Sequence, residues 1–231
     1  MTHQTVALDT QPGRAVYNRA TLALYDRVVH GATNHWVWKC PTAELQALYS
    51  RHASSNHLDV GVGTGYFLDR HVFQGPRPRI GLMDLNQQAL ASTASRLARY
   101  KPERYVRDVL RPMPCRNQPF NSIGMTYLLH CLPGTLQEKQ PVFGHLCNWL
   151  NDDGCLFGAT VMGRGVERSP AAGALMAIYN DRGIFCNAQD DPTSLEAALG
   201  QYFAHVQLRL VGSVALFQAS QPLRHNIGEN A

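Results

Sequence analysis

Asp59-Val60-Gly61-Val62-Gly63-Thr64-Gly65-Tyr66 places an acid and three alternate glycines at the end of an apolar run. Glycines at that spacing keep side chains off a tight strand-to-helix turn, so that backbone amides and a helix N-terminus can meet a polar ligand closely. A dinucleotide fingerprint, G-x-G-x-x-G, needs glycine at position 66, where this chain has Tyr66. Asp84 ends a second apolar run, where a carboxylate can accept hydrogen bonds from both hydroxyls of a ribose or, equally, cap the helix that follows. His130 lies in Thr126-Tyr127-Leu128-Leu129-His130-Cys131-Leu132-Pro133 and reads either as a general base or as a packed histidine with its nitrogens satisfied. Asn34-His35-Trp36-Val37-Trp38-Lys39 offers two tryptophans that can hold a cation over their rings or pack N-terminal helices onto a core.

Elements must carry these residues. From residue 55 onward strand-like and helix-like segments alternate, which predicts a parallel sheet covered on both faces. The first strand ends at the glycine turn, and the next four are expected over 79–84, 104–108, 120–127 and 155–161. A helix is expected over 87–100, with Leu90, Thr93, Ala94 and Leu97 as its apolar stripe. Another is expected over 142–150, closed by 151–154, whose Gly154 suits a helix end. Residues 206–211 and 213–218 are β-like runs separated only by Gly212, too short a link for a parallel crossover, so they pair antiparallel. Helices are expected over 17–30 and 42–51, the second with Thr42 as N-cap, and an excursion over 169–199 carries helices at 171–179 and 192–199.

The D-x-G-x-G-x-G turn, the acids Asp84 and Asp108 after successive strands, and the closing antiparallel hairpin together resemble the class I methyltransferase-fold enzymes, which bind S-adenosylmethionine. The resemblance covers about residues 55–219 and implies an α/β fold: a three-layer αβα, Rossmann-like architecture on a seven-stranded, mostly parallel sheet with one antiparallel strand. The organisation expected is an N-terminal helical lid over 1–54, a cofactor-binding core over 55–219 with an insertion at about 164–200, and a polar tail over 220–231. On the resemblance, Asp59 organises the turn and orients the cofactor's ammonium, Gly61, Gly63 and Gly65 line it, and Asp84 with Leu85 takes the ribose. Asp108 and Val109 contact adenine, and Tyr127 and Trp38 touch the cofactor. Tyr127, His130 and Tyr179 are the candidate catalytic residues, with Asn34, Trp36, Lys39 and Asn180 as the candidate substrate wall.

Residues 126–133 resemble the V-L-H-H-L-P-like segment of small-molecule methyltransferases, whereas the N/D-P-P-Y/F segment of enzymes that methylate nucleic acid bases is absent. The first expectation is methyl transfer from S-adenosylmethionine to a small-molecule acceptor, as in secondary metabolism. The aromatic-rich lid also resembles azetidine-2-carboxylate synthases, in which the cofactor's own amine attacks its γ-carbon and expels methylthioadenosine. A third reading is a non-catalytic cofactor-binding protein that docks a partner.

Composition bounds the rest. A chain of 231 residues, 45% apolar and 16% charged, suits one folded domain with accessory segments. Arginines concentrate over 96–116, as a solvated surface or as a dock for an acidic carrier protein; no aromatics alternate with them as a nucleic-acid groove requires. Six scattered cysteines without C-x-x-C read as reduced thiols, and no metal is assigned, because Asp152-Asp153 and Asp190-Asp191 read as helix caps. No leader-like apolar segment and no run of about 18 apolar residues is seen, so a cytoplasmic protein with no membrane contact is expected. The oligomeric state is left open.

Overall fold

The computed structural model of the chain describes residues 28–115 and 118–224. Most of the helix expected over 17–30, the start of the lid segment, Arg116 and residues 225–231 lie outside them. Seven strands form one sheet: β1 (Asn56–Val60), β2 (Arg79–Asp84), β3 (Glu103–Val106), β4 (Phe120–Thr126), β5 (Leu150–Val161), β6 (Phe203–Val211) and β7 (Val214–Pro222). Their spatial order is β3-β2-β1-β4-β5-β7-β6, and among the described residues β7 alone runs antiparallel to its neighbours.

Side-chain alternation along the strands builds a core on each face. Leu58, Val60, Met83 and Leu156 pack on one side with Val142, Phe143, Trp149 and Leu199. Ile80, Leu82, Phe157 and Val161 pack on the other with Leu45, Leu68, Leu90 and Met176. The helices are α1 (Thr42–His52), α2 (Tyr66–Arg70), α3 (Gln87–Arg96), α4 (Leu136–Lys139), α5 (Pro141–Cys147), α6 (Pro170–Asp181) and α7 (Pro192–Gly200), which complete three layers. Ahead of α1, Val28–Val37 winds as a wide π-helix that takes in the end of the helix expected over 17–30 and part of the segment after it, and Cys40 N–H closes onto the Asn34 carbonyl at 2.8 Å.

Several local expectations are corrected. Thr42 is not a cap: Pro41 holds that position, and the Thr42 hydroxyl instead accepts from Asn34 Nδ2 at 3.2 Å. The helix expected over 142–150 is α5, which starts at Pro141 and ends at Cys147, with the short α4 ahead of it. Residues 151–154 are not a helix end, because β5 begins at Leu150 and a register shift opposite Phe120 and Ser122 draws them into the strand. Asp152 therefore caps nothing and pairs with Arg224 at 2.7 Å. Asp191 does cap α7, accepting from Ser194 N–H at 2.9 Å, but Asp190 turns inward onto Lys139. β7 continues to Pro222, so the polar tail starts later than position 220. The helix over 87–100 ends at Arg96 and continues as a tighter turn at Ala98–Tyr100.

Candidate active site

Chain connections diverge on either side of β1, with β2 and β3 on one flank and β4 on the other, and at such a switch point the carboxyl ends of the strands leave a crevice. The turn after β1 enters it. Gly61, Gly63 and Gly65 have φ of 71°, 49° and 72°, a region that side chains disfavour. A Cβ on Gly65 would stand 2.7 Å from Thr93 Cγ2, and one on Gly61 would stand 2.9 Å from Leu128 Cβ, whereas a Cβ on Gly63 would meet nothing within 4 Å. The outer two glycines thus admit close packing and the middle one opens to the crevice. Thr93 secures the turn from α3 by donating to the Gly63 carbonyl at 3.1 Å.

The crevice is two clefts that share Gly61, Gly63 and Tyr127. The larger, about 790 Å³ and open to solvent, is bounded by Asp84, Leu85, Asn86, Asp108 and Val109 with an apolar wall of Leu128, Cys131 and Leu132. The smaller, about 470 Å³, is bounded by Tyr49, Asp59, Gly65 and Thr126. Asp84 Oδ1 accepts from Asn86 N–H at 2.8 Å, and burial pushes its carboxyl up to about 6 although backbone amides of Asn86 and Val62 pull the other way. The cap of α3 is Asn86, whose side chain accepts from Gln88 and Ala89 N–H, so Asp84 is not spent on the helix. Asp108 accepts from Leu110 N–H at 3.1 Å and lies 3.6 Å from the exposed Arg111. Asp59 is buried, with Oδ1 receiving the Tyr49 hydroxyl at 2.8 Å.

Tyr127 divides the clefts in a left-handed conformation, φ 62°, unusual for a residue with a side chain. Its N–H reaches the Ala159 carbonyl at 2.8 Å and its hydroxyl donates to Asn34 Oδ1 at 3.1 Å, which ties the turn after β4 to the segment before α1. His130 lies beneath this turn, wholly buried. Its Nδ1 accepts from Val161 N–H at 3.2 Å, and burial together with the Lys139 charge lowers the imidazole to about 3. A ring so held is a weak base with one nitrogen already engaged.

Of the expected site residues, Asp59, Gly61, Gly63, Gly65, Asp84, Leu85, Asp108, Val109 and Tyr127 converge on the clefts, and Asn34 joins them through Tyr127. Trp36, Trp38, Lys39, Tyr179 and Asn180 line neither cleft. Trp36 is 75% exposed, edge-on to His35, and Lys39 is exposed as well. Trp38 is buried against Phe185, which also meets the Tyr179 and His130 rings at 4.9 and 4.3 Å and so gathers them into the core. Asn180 spends its amide on Met176 and Asn187 at 2.9 and 3.0 Å, within the insertion's own turn. Two tryptophans so placed make no cage for a cation.

Tyr49, Asn86 and Phe185 were not read from the sequence. Tyr49 follows Leu45 and Leu48 on one helical stripe and Asn86 stands just ahead of α3, both readable local signals; Phe185 has none, since Trp38 and His130 reach it from two distant segments. The basic stretch is partly consumed within the chain, Arg99 pairing with Asp69 at 2.7 Å and Arg96 at 3.7 Å.

These residues fit S-adenosylmethionine: the backbone is open at Gly63, and three carboxylates line the walls where hydroxyls, an exocyclic amine and an ammonium need acceptors. A methyltransferase domain family matches residues 58–156. The chain is 39% identical over 207 residues to demethylluteothin O-methyltransferase of Streptomyces thioluteus, covering 90% of each protein. It is 39% identical over 215 residues to the physcion biosynthesis cluster O-methyltransferase of Aspergillus chevalieri, covering 92% of this chain and 96% of that one. In fold it is similar to the N-methyltransferase NodS of Bradyrhizobium japonicum in complex with S-adenosylhomocysteine, with a TM-score of 0.59 over 88% of this chain and 98% of that chain at 13% identity. A glycine turn at a sheet switch point, acids at the following strand ends and relatedness across nine-tenths of the chain lead to one assignment: the chain belongs to the methyltransferase family, as a class I enzyme that uses S-adenosylmethionine as methyl donor.

Proposed function

We propose that this enzyme methylates an oxygen of a small molecule of the secondary-metabolite kind. The observation that carries the reading is a pair of clefts meeting at Tyr127 whose linings suit one cofactor, with Asp84 and Asp108 beside the apolar Leu128, Cys131 and Leu132 for its nucleoside and Asp59 beside the glycine turn for its amino-acid end. Two relatives that span nearly the whole chain are named O-methyltransferases, which favours oxygen as the attacking atom. When bound, S-adenosylmethionine supplies an electrophilic methyl group on its sulfonium.

On this reading the chain's residues bind and align. Asp84, beside Leu85, accepts the ribose hydroxyls; Asp108 and the Val109 backbone meet adenine; Asp59 faces the ammonium; Gly63 lets the amino-acid portion lie against the turn. Tyr127, held by Asn34, stands between the nucleoside and the amino-acid end of the cofactor. Aligning two reactants at near-attack distance supplies much of the acceleration without a strong base, which suits a site whose histidine has so little proton affinity. His130 acts by holding the turn rather than by taking a proton. The six cysteines carry thiols, which suits a reducing compartment and a cytoplasmic setting.

The test is incubation of the purified chain with S-adenosylmethionine alone and with a panel of phenols, enols and amines, followed by mass spectrometry. Expected is S-adenosylhomocysteine in step with a hydroxyl-bearing acceptor one methyl group heavier. Methylthioadenosine from the cofactor alone would overturn methyl transfer in favour of intramolecular cyclisation, and methylation confined to amines would overturn the choice of oxygen.

A further inference from the structure

We propose that Tyr49 is a positioning residue of the cofactor site, fixing Asp59 so that one carboxylate oxygen faces the amino-acid end of the bound molecule and setting affinity for that end alone. The inference rests on the assignment of Asp59 to the cofactor's ammonium.

Tyr49 lies on α1, outside the nucleotide-binding turn, yet its hydroxyl donates to Asp59 Oδ1 at 2.8 Å. The ring cannot swing away: it stacks on Phe67 at 5.2 Å and 16° and meets Phe157 edge-on at 5.2 Å and 90°. The same oxygen is enclosed from behind, with His57 Nε2 at 3.8 Å and the bare Cα of Gly124 so near that a Cβ there would stand 3.0 Å away. The polar contacts of the Asp59 side chain thus fall on Oδ1, and Oδ2 has no hydrogen-bond partner among the described residues, although Asp59 and Tyr49 together wall the smaller cleft. A carboxylate pinned through one oxygen presents the lone pairs of the other in one direction; unpinned, it turns about its terminal torsion and loses alignment with a charged partner. Burial and the adjacent carboxylate hold the Tyr49 hydroxyl well above its usual range, so it donates throughout the working pH range.

Calorimetric titration of wild type and Tyr49→Phe with S-adenosylhomocysteine, which has the amino-acid end, and with methylthioadenosine, which lacks it, tests this. Expected is an affinity for S-adenosylhomocysteine weakened about tenfold, the size of one lost charge-assisted hydrogen bond, with methylthioadenosine changed less than about twofold. In an Asp59→Asn background, Tyr49→Phe should then add less than about twofold, because the carboxylate it orients is gone. Equal losses for both ligands, or an undiminished effect in the Asp59→Asn background, would show a merely structural role and overturn the proposal. A wild-type protein that binds neither ligand would instead overturn the cofactor reading beneath it. Should Tyr49→Phe fail to fold, Tyr49→His, which keeps a donor on a planar ring, is expected to retain more than half of the selectivity for the amino-acid end, and loss of that selectivity would count against the proposal.

Discussion

Asp84 is an acid whose ionisation its surroundings oppose and the proposed ribose contact requires. Burial raises the carboxyl from 3.8 to about 6, while in the unfolded chain it titrates at the ordinary value. Between those pH values the folded protein holds a proton that the unfolded chain has released, so this group's contribution to stability is full below 3.8 and is lost as pH rises through about 6. Asp84→Asn removes the buried charge while keeping an acceptor for Asn86 N–H. The variant is expected to unfold at a higher temperature than wild type at pH 7 and at nearly the same temperature at pH 4, read by scanning calorimetry. On the proposed ribose contact, its affinity for S-adenosylhomocysteine should fall about tenfold or more, because a charged acceptor is lost. In wild type the same affinity should decline as pH is lowered through about 6, and in Asp84→Asn that decline should vanish. Position 84 was legible from the sequence because the acid follows an apolar strand and precedes a helix, but its perturbed ionisation was not, since that depends on what the fold packs around it.

At the scale of elements, the insertion is held to the core by a buried ion pair. Lys139, at the end of α4, places Nζ 2.8 Å from Asp190 Oδ2 and 2.7 Å from the Cys186 carbonyl, with the two side chains 0% and 1% exposed. Around it the Asp190 carbonyl accepts from Gly163 and Arg164 N–H, and Cys186 N–H reaches the His130 carbonyl, so the turn after β4 is fastened from the insertion side. Removing one member of such a pair leaves an uncompensated buried charge at a cost of about 3–5 kcal/mol, whereas replacing both by apolar groups is often neutral. Lys139→Met is therefore expected to lower the urea unfolding free energy by about that amount, and Lys139→Met with Asp190→Leu to recover most of it. Local pattern located β2 and the closing hairpin closely, yet it assigned Asp190 to a helix cap and residues 151–154 to a helix end. A cap and a salt bridge use the same side chain, and a polar strand end looks like a turn until its pairing partner is known.

At the scale of the whole molecule, burial governs the thiols. Cys40, Cys131 and Cys147 are pushed up to about 12 and Cys155 to about 11, each chiefly by desolvation. Under native conditions at pH 8 a disulfide reagent is expected to modify at most three of the six cysteines quickly, Cys131 on the cleft wall among them, the others reacting only as the protein opens; the count is read by absorbance with and without denaturant, and four or more fast thiols would contradict the packing. Among the described residues no helix is long and apolar enough to cross a membrane. What the sequence by itself determined is the cofactor: a glycine spacing, acids after successive strands and a closing hairpin are local patterns, and local backbone geometry is enough to make them a nucleotide turn on a doubly wound sheet. What only the tertiary structure decided is which side chains face that turn. Trp36 and Trp38 looked alike in sequence and were drawn apart, one to solvent and one to Phe185, while Tyr49 was brought from a helix of no evident chemistry onto Asp59, because burial and contact are set by segments distant along the chain.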